Sequence, residues 1–472
     1  MSHQFHPTVL REYDIRGIIG ETLGPDDARA IGRGFATLLR AAGGTKVAVG
    51  YDGRLSSPVL EAALIEGLHA SGCDVVQVGM GPTPMLYYAE ASMEDVQGGI
   101  QITGSHNPAN YNGFKLVFMG RPFFGADILE LGRLAAGSAW LDREGLAGNG
   151  RQEKREIMAA YIDRMLEGLA GISHDTLAAL RVGWDAGNGA AGPALEALTA
   201  KMPGEHHLLF TEVDGNFPNH HPDPTEEKNL ADLKALVAAK NLDFGVAFDG
   251  DGDRIGAIDG EGRVIWGDQL MMIYAEDLLR MVPGSTIIAD VKASGALFDR
   301  VAELGGKPLM WNTGHSLIKS KMKETGAPLA GEMSGHVFFA HEYYGFDDAL
   351  YAAIRLIAAS ARLGKSVTQL RGEMPALVNT PEMRFQVDES RKFVVIDEVK
   401  QRLAAAGADV NATDGVRVST ADGWWLLRAS NTQDVLVARA ESEDQAGLDR
   451  LMAQIDAQLE ASGLKRGAQA GH

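Results

Sequence analysis

The chain has 472 residues, 45% apolar and 23% charged, with a net charge of -19; this length exceeds one hydrophobic core and predicts three or four domains. The acidic balance excludes whole-surface attraction to nucleic acid or anionic lipid, but not an anionic small substrate held by local cations. No run of eighteen apolar residues exists to span a membrane, and a single cysteine, Cys73, excludes an internal disulfide or a cysteine zinc cluster.

Residues 1–13 are polar and lack the apolar segment of a secretory signal, so a cytoplasmic protein is expected. From there one pattern recurs: a short β-branched run ends in an aspartate or glycine-rich loop, and a helix follows, as in α/β layers with a largely parallel sheet. The first instance is 46–50 before Tyr51-Asp52-Gly53-Arg54. Its helix has Ser57 as N-cap, Pro58 in the first turn, leucines at 60, 64 and 68, and Gly72 as a stop. Cys73 falls where that helix gives way to the apolar run 75–78, the place of a small core residue. The run 99–102 then enters Thr103-Gly104-Ser105-His106-Asn107-Pro108, where glycine frees the backbone, asparagine and proline fix a turn, and Ser105 stands at the tip. Beside His106 that hydroxyl could be a nucleophile with a base, although taken alone a Ser/Asn turn is the simpler reading. The hydrolase elbow G-x-S-x-G is not matched, which disfavours acyl transfer.

The polar stretch 148–153 marks a first domain boundary, and Ile157, Tyr161 and Met165 share a helix face beyond it. Residues 182–184 lead into Asp185-Ala186-Gly187, and Gly187-Asn188-Gly189-Ala190-Ala191-Gly192 matches a dinucleotide fingerprint that is weak when alone. His220-His221-Pro222-Asp223-Pro224 offers two imidazoles, but its prolines favour a structural turn. Residues 244–248 precede Asp249-Gly250-Asp251-Gly252-Asp253-Arg254, three alternate carboxylates on a glycine-wrapped turn that suit a hard divalent cation. An EF-hand is excluded, because Arg254 occupies its glycine position and Gly260 its glutamate position; magnesium is expected instead. A turn near Asp259-Gly260 marks the second boundary.

The run 286–289 leads into Asp290-Val291-Lys292. In Gly331-Glu332-Met333-Ser334-Gly335-His336, a carboxylate and a hydroxyl two residues apart could take vicinal sugar hydroxyls, while His336 by itself reads as structural. After about Arg371 the texture changes to antiparallel strands at 416–418, 424–427 and 435–440, a turn at Asp422-Gly423 and a helix over 444–459, a small α+β domain. Between two of its strands, Arg428-Ala429-Ser430-Asn431-Thr432-Gln433 is either a phosphate cradle of guanidinium, hydroxyls and amides or a polar hairpin loop. Residues 463–472 read as a disordered tail.

In this order the loops resemble those of the α-D-phosphohexomutase superfamily, most closely its bacterial phosphomannomutase/phosphoglucomutase branch. The likeness begins at Tyr13-Asp14-Ile15-Arg16-Gly17 and passes through Gly104-Ser105-His106-Asn107-Pro108, Asn112-Gly113-Phe114-Lys115 and Asn216-Phe217-Pro218-Asn219-His220-His221-Pro222. It continues through the triple aspartate, Thr313-Gly314-His315, the Glu332 loop and the Arg428 loop. The resemblance implies three similar mixed-sheet α/β domains (1–152, 153–258, 259–371) and a C-terminal α+β, TATA-box-binding-protein-like domain (372–472) around a central cleft. It implies that Ser105 carries a phosphoryl group and that Asp249, Asp251 and Asp253 bind magnesium (Mg2+) together with it. Glu332 and Ser334 would contact sugar hydroxyls, and Arg428, Ser430, Asn431 and Thr432 would hold the phosphate that is not transferred. Tyr13, Arg16, Lys115, Arg254, Lys292, His315 and His336 match positions near substrate and reacting groups.

The implied reaction interconverts hexose 1-phosphate and hexose 6-phosphate through a hexose 1,6-bisphosphate that also serves as activator. The base for the sugar hydroxyl stays open among Lys115, His336 and His106. Met333 resembles the mannose/glucose branch rather than phosphoglucosamine mutases, which usually carry glutamine there. Tyr51 departs from the arginine frequent in relatives, a matter of loop packing. The alternatives are a phosphoglucosamine mutase, a magnesium-dependent sugar phosphatase and a non-enzymatic sugar-phosphate binder. A monomer with only phosphosugar partners is expected, hinging near 371–377 as the cleft closes.

Overall fold

The apolar runs that precede the polar loops are buried strands, and the loops lie beyond their carboxyl ends. The computed structural model describes residues 2–142, 150–431 and 433–465; the tail expected beyond 465, Thr432 of the phosphate cradle and part of the stretch at 148–153 lie outside the described residues.

Three mixed sheets share one plan. In the first, Lys46–Tyr51 pairs in parallel with Asp74–Met80 and Gly98–Ile102, and Tyr111–Phe118 returns antiparallel on Gly98–Ile102. In the second, Arg181–Asp185 pairs in parallel with Glu205–Leu209 and Phe244–Phe248, and Ile255–Asp259 returns antiparallel. In the third, Thr286–Asp290 pairs in parallel with Lys307–Trp311 and Leu329–Gly331, and Val337–Phe339 returns antiparallel. Each time, the loop rich in chemistry joins the last parallel strand to its antiparallel partner. Each time, an aspartate (Asp52, Asp185 or Asp290) stands at the end of the neighbouring strand. These are the carboxyl ends where open α/β sheets bind ligands.

The C-terminal domain is an antiparallel sheet ordered Val378–Asn379, Val435–Ser442, Gly423–Ala429, Val416–Thr420, Asp409–Asn411, backed by the helices Glu389–Ala405 and Gln445–Ala461. The fold is therefore the expected one, three mixed-sheet α/β domains and a fourth of α+β type. One apolar cluster runs through the first three domains, from Ala48 and Tyr87 through Trp184 and Phe248 to Tyr274 and Tyr351. The fourth has its own core, with Trp425, Leu427, Leu436 and Ile455. The helix Ala349–Leu363 is buried on almost every face, as an all-round apolar helix must be. Cys73 is a fully buried core residue, as expected.

The fourth domain docks on the third through the other face of its sheet. Successive residues of a strand point to opposite faces, so Trp425 enters its own core while Trp424 and Leu426 meet Val291. Around Trp424, Arg417 Nη1 donates to the carbonyls of Val291 (2.7 Å) and Ala293 (2.6 Å). Arg439 donates to the carbonyl of Lys292. Glu441 Oε1 accepts from Ser294 Oγ and the Gly295 amide at 2.9 Å each, and from Trp424 Nε1 at 2.8 Å.

One local expectation is corrected. The helix Ser57–Ala70 has Ser56, not Ser57, at its N-cap, without a side-chain cap bond. The Ser57 hydroxyl donates instead to Asp52 Oδ1 at 2.7 Å, because that carboxylate organises the serine loop.

Candidate active site

Ser105 is 2% exposed and has φ 51°, in the left-handed region uncommon for a residue with a side chain. Its amide donates to Thr103 Oγ1 at 2.8 Å. Its hydroxyl lies 3.1 Å from Asp249 Oδ2 and 3.3 Å from His106 Nδ1. Asp52 accepts the Gly104 amide at 3.0 Å, and the Arg54 guanidinium fills the inside of the turn.

Asp249, Asp251 and Asp253 are fully buried, and one oxygen from each lies within 4.8 Å of the others. Asp249 Oδ1 winds the turn by accepting the amides of Asp253 and Arg254, both at 3.1 Å. From the first domain, the Thr83 hydroxyl donates to Asp251 Oδ2 at 2.6 Å. Buried carboxylates need a counter-charge, and Lys115 supplies one: Nζ lies 2.7 Å from Asp251 Oδ2 and also bonds Asp253. Among the described residues Asp251 Oδ1 is buried and accepts no hydrogen bond. An unsatisfied oxygen within an all-oxygen set on a glycine-wrapped turn fits a divalent cation. Burial, then the charges of Asp251 and Asp253, push the Asp249 carboxyl well above its ordinary range. Burial opposes the charge of Asp253 too, but Lys115 and His336 hold it well below that range.

His336 joins the second domain to the third. Its Nε2 lies 3.2 Å from Asp253 Oδ1 and its Nδ1 2.8 Å from Glu332 Oε2. Burial disfavours its charge, yet Asp253 and Glu332 raise the imidazole to about 9. Glu332 Oε1 accepts the Gly314 amide at 2.7 Å, Asp290 Oδ1 accepts the Met333 amide at 3.0 Å, and Ser334 Oγ lies 3.4 Å from His336 Nδ1. His315 opens the helix His315–Thr325 with its ring 5.6 Å from that of His336. Burial, then Lys319, depresses its pKa well below the usual value. Burial, then Arg254 and Arg16, does the same to His106. Arg254 Nε lies 3.4 Å from His336 Nε2, and Arg16 pairs with Asp14.

From the fourth domain, Arg428 Nε donates to Asp414 Oδ2 at 2.9 Å, and the same oxygen accepts the Thr313 amide at 3.1 Å. Ser430 Oγ accepts the Gln433 amide at 3.2 Å. Asn431 donates to the Tyr13 hydroxyl, which donates to the Thr313 carbonyl at 2.8 Å, so Tyr13 ties the first, third and fourth domains together. Lys292 Nζ lies 3.0 Å from Glu382 Oε2 and 3.9 Å from Asp290 Oδ2. Ser105, Lys115, the aspartates, His336 and Glu332 thus form one chain of contacts. The Arg428 loop joins the assembly through Tyr13 and Thr313 rather than through the aspartates.

The glycines from Gly187 to Gly192 serve packing. The Ala190 amide donates to the Gly250 carbonyl at 2.9 Å, and a Cβ on Gly189 would lie 2.9 Å from that oxygen. His220 Nε2 lies 3.0 Å from Asp185 Oδ2, a structural turn as read. Sequence reasoning missed Thr83, Lys319, Asp347 and the role of Arg54. Asp347 accepts Lys319 Nζ at 2.8 Å and lies within reach of Asp253 and His336. Nothing local signals Thr83, which stands 168 residues from Asp251.

Family models for phosphoglucomutase/phosphomannomutase match along the chain: alpha/beta/alpha domain I at residues 7–130, domain II at 159–262, domain III at 266–377 and the C-terminal domain at 382–458. A phosphomannomutase/phosphoglucomutase of Pseudomonas putida is 44% identical over 445 residues, 94% of each chain. A phosphoglucomutase of Neisseria gonorrhoeae is 40% identical over 96% of this chain and 97% of its own. A crystal structure of a phosphoglucomutase/phosphomannomutase family protein from Burkholderia thailandensis, 42% identical, superposes with a TM-score of 0.89 and covers 99% of this chain and 100% of that one.

Proposed function

The chain belongs to the phosphoglucomutase/phosphomannomutase family, and we propose that it works through a phosphoserine at Ser105. It is a hexose-phosphate mutase, an intramolecular phosphotransferase. Mannose and glucose phosphates are the proposed substrates.

Phosphoryl transfer needs in-line positioning and neutralised oxygens more than covalent help. On this reading Asp249, Asp251 and Asp253, with the Ser105 phosphate, hold magnesium, which when bound neutralises the transferring oxygens. Ser105 gives its phosphoryl group to the free hydroxyl of the sugar phosphate. The Oγ–P bond breaks as the new O–P bond forms, and the proton that the sugar hydroxyl gives up is balanced by the one that the released Ser105 Oγ takes up. The resulting 1,6-bisphosphate, which also acts as activator, turns over and returns its other phosphate to Ser105. Lys115, held protonated by the aspartates around it, has a third N–H for the transferring oxygens, and His336, held protonated between Asp253 and Glu332, adds positive charge beside them. His106, kept neutral by burial, lies 3.3 Å from Ser105 Oγ, beside the atoms that exchange the proton. Arg16 and Arg254 add positive charge at the same place. Glu332 and Ser334 take sugar hydroxyls, Arg428, Ser430, Asn431 and Thr432 hold the remote phosphate, and Tyr13, Lys292 and His315 complete the substrate side.

The four-part division at 152, 258 and 371, a monomeric state and a cytoplasmic location belong to the same proposal; among the described residues no helix is long and apolar enough to cross a membrane. The observation that carries the reading is the Ser105 hydroxyl 3.1 Å from Asp249 at the meeting of two domains. Its test is a coupled assay of the wild type and Ser105→Ala on mannose 1-phosphate, glucose 1-phosphate and glucosamine 1-phosphate, with and without hexose 1,6-bisphosphate. Loss of turnover in the variant and bisphosphate stimulation of the wild type are expected. Full activity in Ser105→Ala would sink the phosphoserine, and net phosphate release would point to a phosphatase.

A further inference from the structure

A turn that aims a serine outward must aim its carbonyls inward. In the loop 104–111 the carbonyls of Ser105, Asn107, Pro108 and Tyr111 converge on one point, and the guanidinium of Arg54, 2% exposed, fills it. Its Nη2 donates to Ser105 O at 2.7 Å and Asn107 O at 2.6 Å, and its Nη1 to Pro108 O at 2.6 Å and Tyr111 O at 2.9 Å. The Nε donates to Asp52 Oδ2 at 3.2 Å. A guanidinium has five N–H groups, and every one is engaged. Asp52 is equally committed: Oδ2 also accepts the Gly104 amide at 3.0 Å, and Oδ1 takes the Arg54 amide at 3.1 Å and Ser57 Oγ at 2.7 Å. The pair fixes the backbone on both sides of Ser105 and so imposes φ 51°, a conformation that a residue with a side chain keeps only where its surroundings dictate it.

The surroundings are built to this guanidinium. A Cβ on Gly104 would lie 2.3 Å from Arg54 Cζ. From the second domain, the Phe217 ring centroid lies 5.3 Å from Cζ, and a Cβ on Gly215 would lie 2.8 Å from Arg54 Cα. That domain also carries Asp249, so the guanidinium registers the serine loop against the domain that holds the aspartates.

We propose that Arg54 is a positioning residue for phosphoryl transfer, fixing Ser105 relative to Asp249 without touching substrate; this rests on Ser105 being the phosphoryl carrier. Lysine cannot replace it, since three donors on one nitrogen cannot meet five acceptors spread around a planar fork.

The test follows loading of Ser105 from glucose 1,6-bisphosphate by intact mass, alongside steady-state kinetics. Labelling of the wild type but not of Ser105→Ala supports the carrier reading; an unlabelled wild type overturns that reading and the proposal with it. In Arg54→Lys, labelling rate and kcat should fall about 100-fold, as for a misplacement on the order of 1 Å, with KM for the sugar phosphate unchanged. In Arg54→Gly, free guanidinium ion should restore labelling, and methylammonium should not. A kcat of Arg54→Lys within about twofold of wild type, little beyond ordinary assay scatter, would refute the positioning role. So would guanidinium that raises the melting temperature of Arg54→Gly without restoring labelling. If neither variant accumulates folded, Phe217→Leu removes only the ring over the guanidinium and should slow labelling about threefold; wild-type labelling there also overturns the proposal.

Discussion

Lys115→Met separates the two demands on the aspartate loop. Lys115 is 4% exposed and bonds both Asp251 and Asp253, themselves fully buried. Removing one partner of such a set costs about 3–5 kcal/mol, because it leaves buried charge uncompensated. For a cooperative unit built on the shared core of the first three domains, that is a fall of roughly 5–10 °C in the melting temperature without metal. Magnesium should reverse much of it. At an effective dielectric near 20, one like charge about 4 Å away opposes a cation by about 4 kcal/mol per unit charge, so the variant should bind magnesium at least ~10-fold more tightly. Without metal, the carboxylates left behind take up protons more readily folded than unfolded, so the penalty should shrink as pH falls. Calorimetry in chelator and in magnesium, at pH 5 and pH 7, reads all three effects. Equal melting temperatures without metal, or equal magnesium shifts, would refute the counter-charge role.

Tyr13→Phe removes the hydroxyl that joins Thr313 and Asn431. A loss of about 1 kcal/mol should raise KM about fivefold and expand the molecule in solution scattering, and an unchanged radius would count against a clasp. Glu441→Ala strips three hydrogen bonds from the docking face of the fourth domain; protease cleavage within 373–381 should quicken about tenfold, and equal cleavage rates would deny that face its docking role. Burial raises the Asp348 carboxyl to about 6, although Tyr343 and Tyr161 donate to it. The folded protein therefore binds more protons than the unfolded between about pH 4 and pH 6, and this group's contribution to stability falls as pH rises through that window. Asp348→Asn should flatten the melting temperature over that range, and an unaltered profile would show that Asp348 does not titrate there.

The serine, aspartate and glutamate loops were legible because each stands where a buried strand ends, the end of an α/β sheet at which ligands bind, and the Arg428 loop because it joins two buried antiparallel strands. The strand Phe244–Phe248 is buried throughout, and the aspartates follow it directly. What makes those loops a site was not legible. The partner of Tyr13 is 418 residues away and that of Lys115 136 residues away, and no local pattern encodes such pairs. Ser57 misled because a serine before proline at a helix start is a good cap by propensity, while its hydroxyl is drawn to Asp52 by tertiary contact. The adjacent tryptophans at 424 and 425 read as one strand, but only the docked third domain explains why both faces of that strand are apolar. The recurring strand, polar loop and helix made the similarity of the three mixed sheets legible, whereas the antiparallel return strand after each loop carries no local mark that sets it apart.

The helix Ala349–Leu363 packs into the same cluster as Tyr87 of the first domain and Trp184 and Phe248 of the second. During synthesis those earlier segments leave the ribosome long before it does. Until residue 363 emerges, the nascent chain carries an uncovered apolar face, the kind of surface that chaperones hold and aggregates nucleate on. Fragments that stop short of residue 349 should therefore be found in inclusion bodies, while the C-terminal domain, with a core of its own, should fold when produced alone. The late position of one helix makes the middle of translation the chain's most vulnerable period.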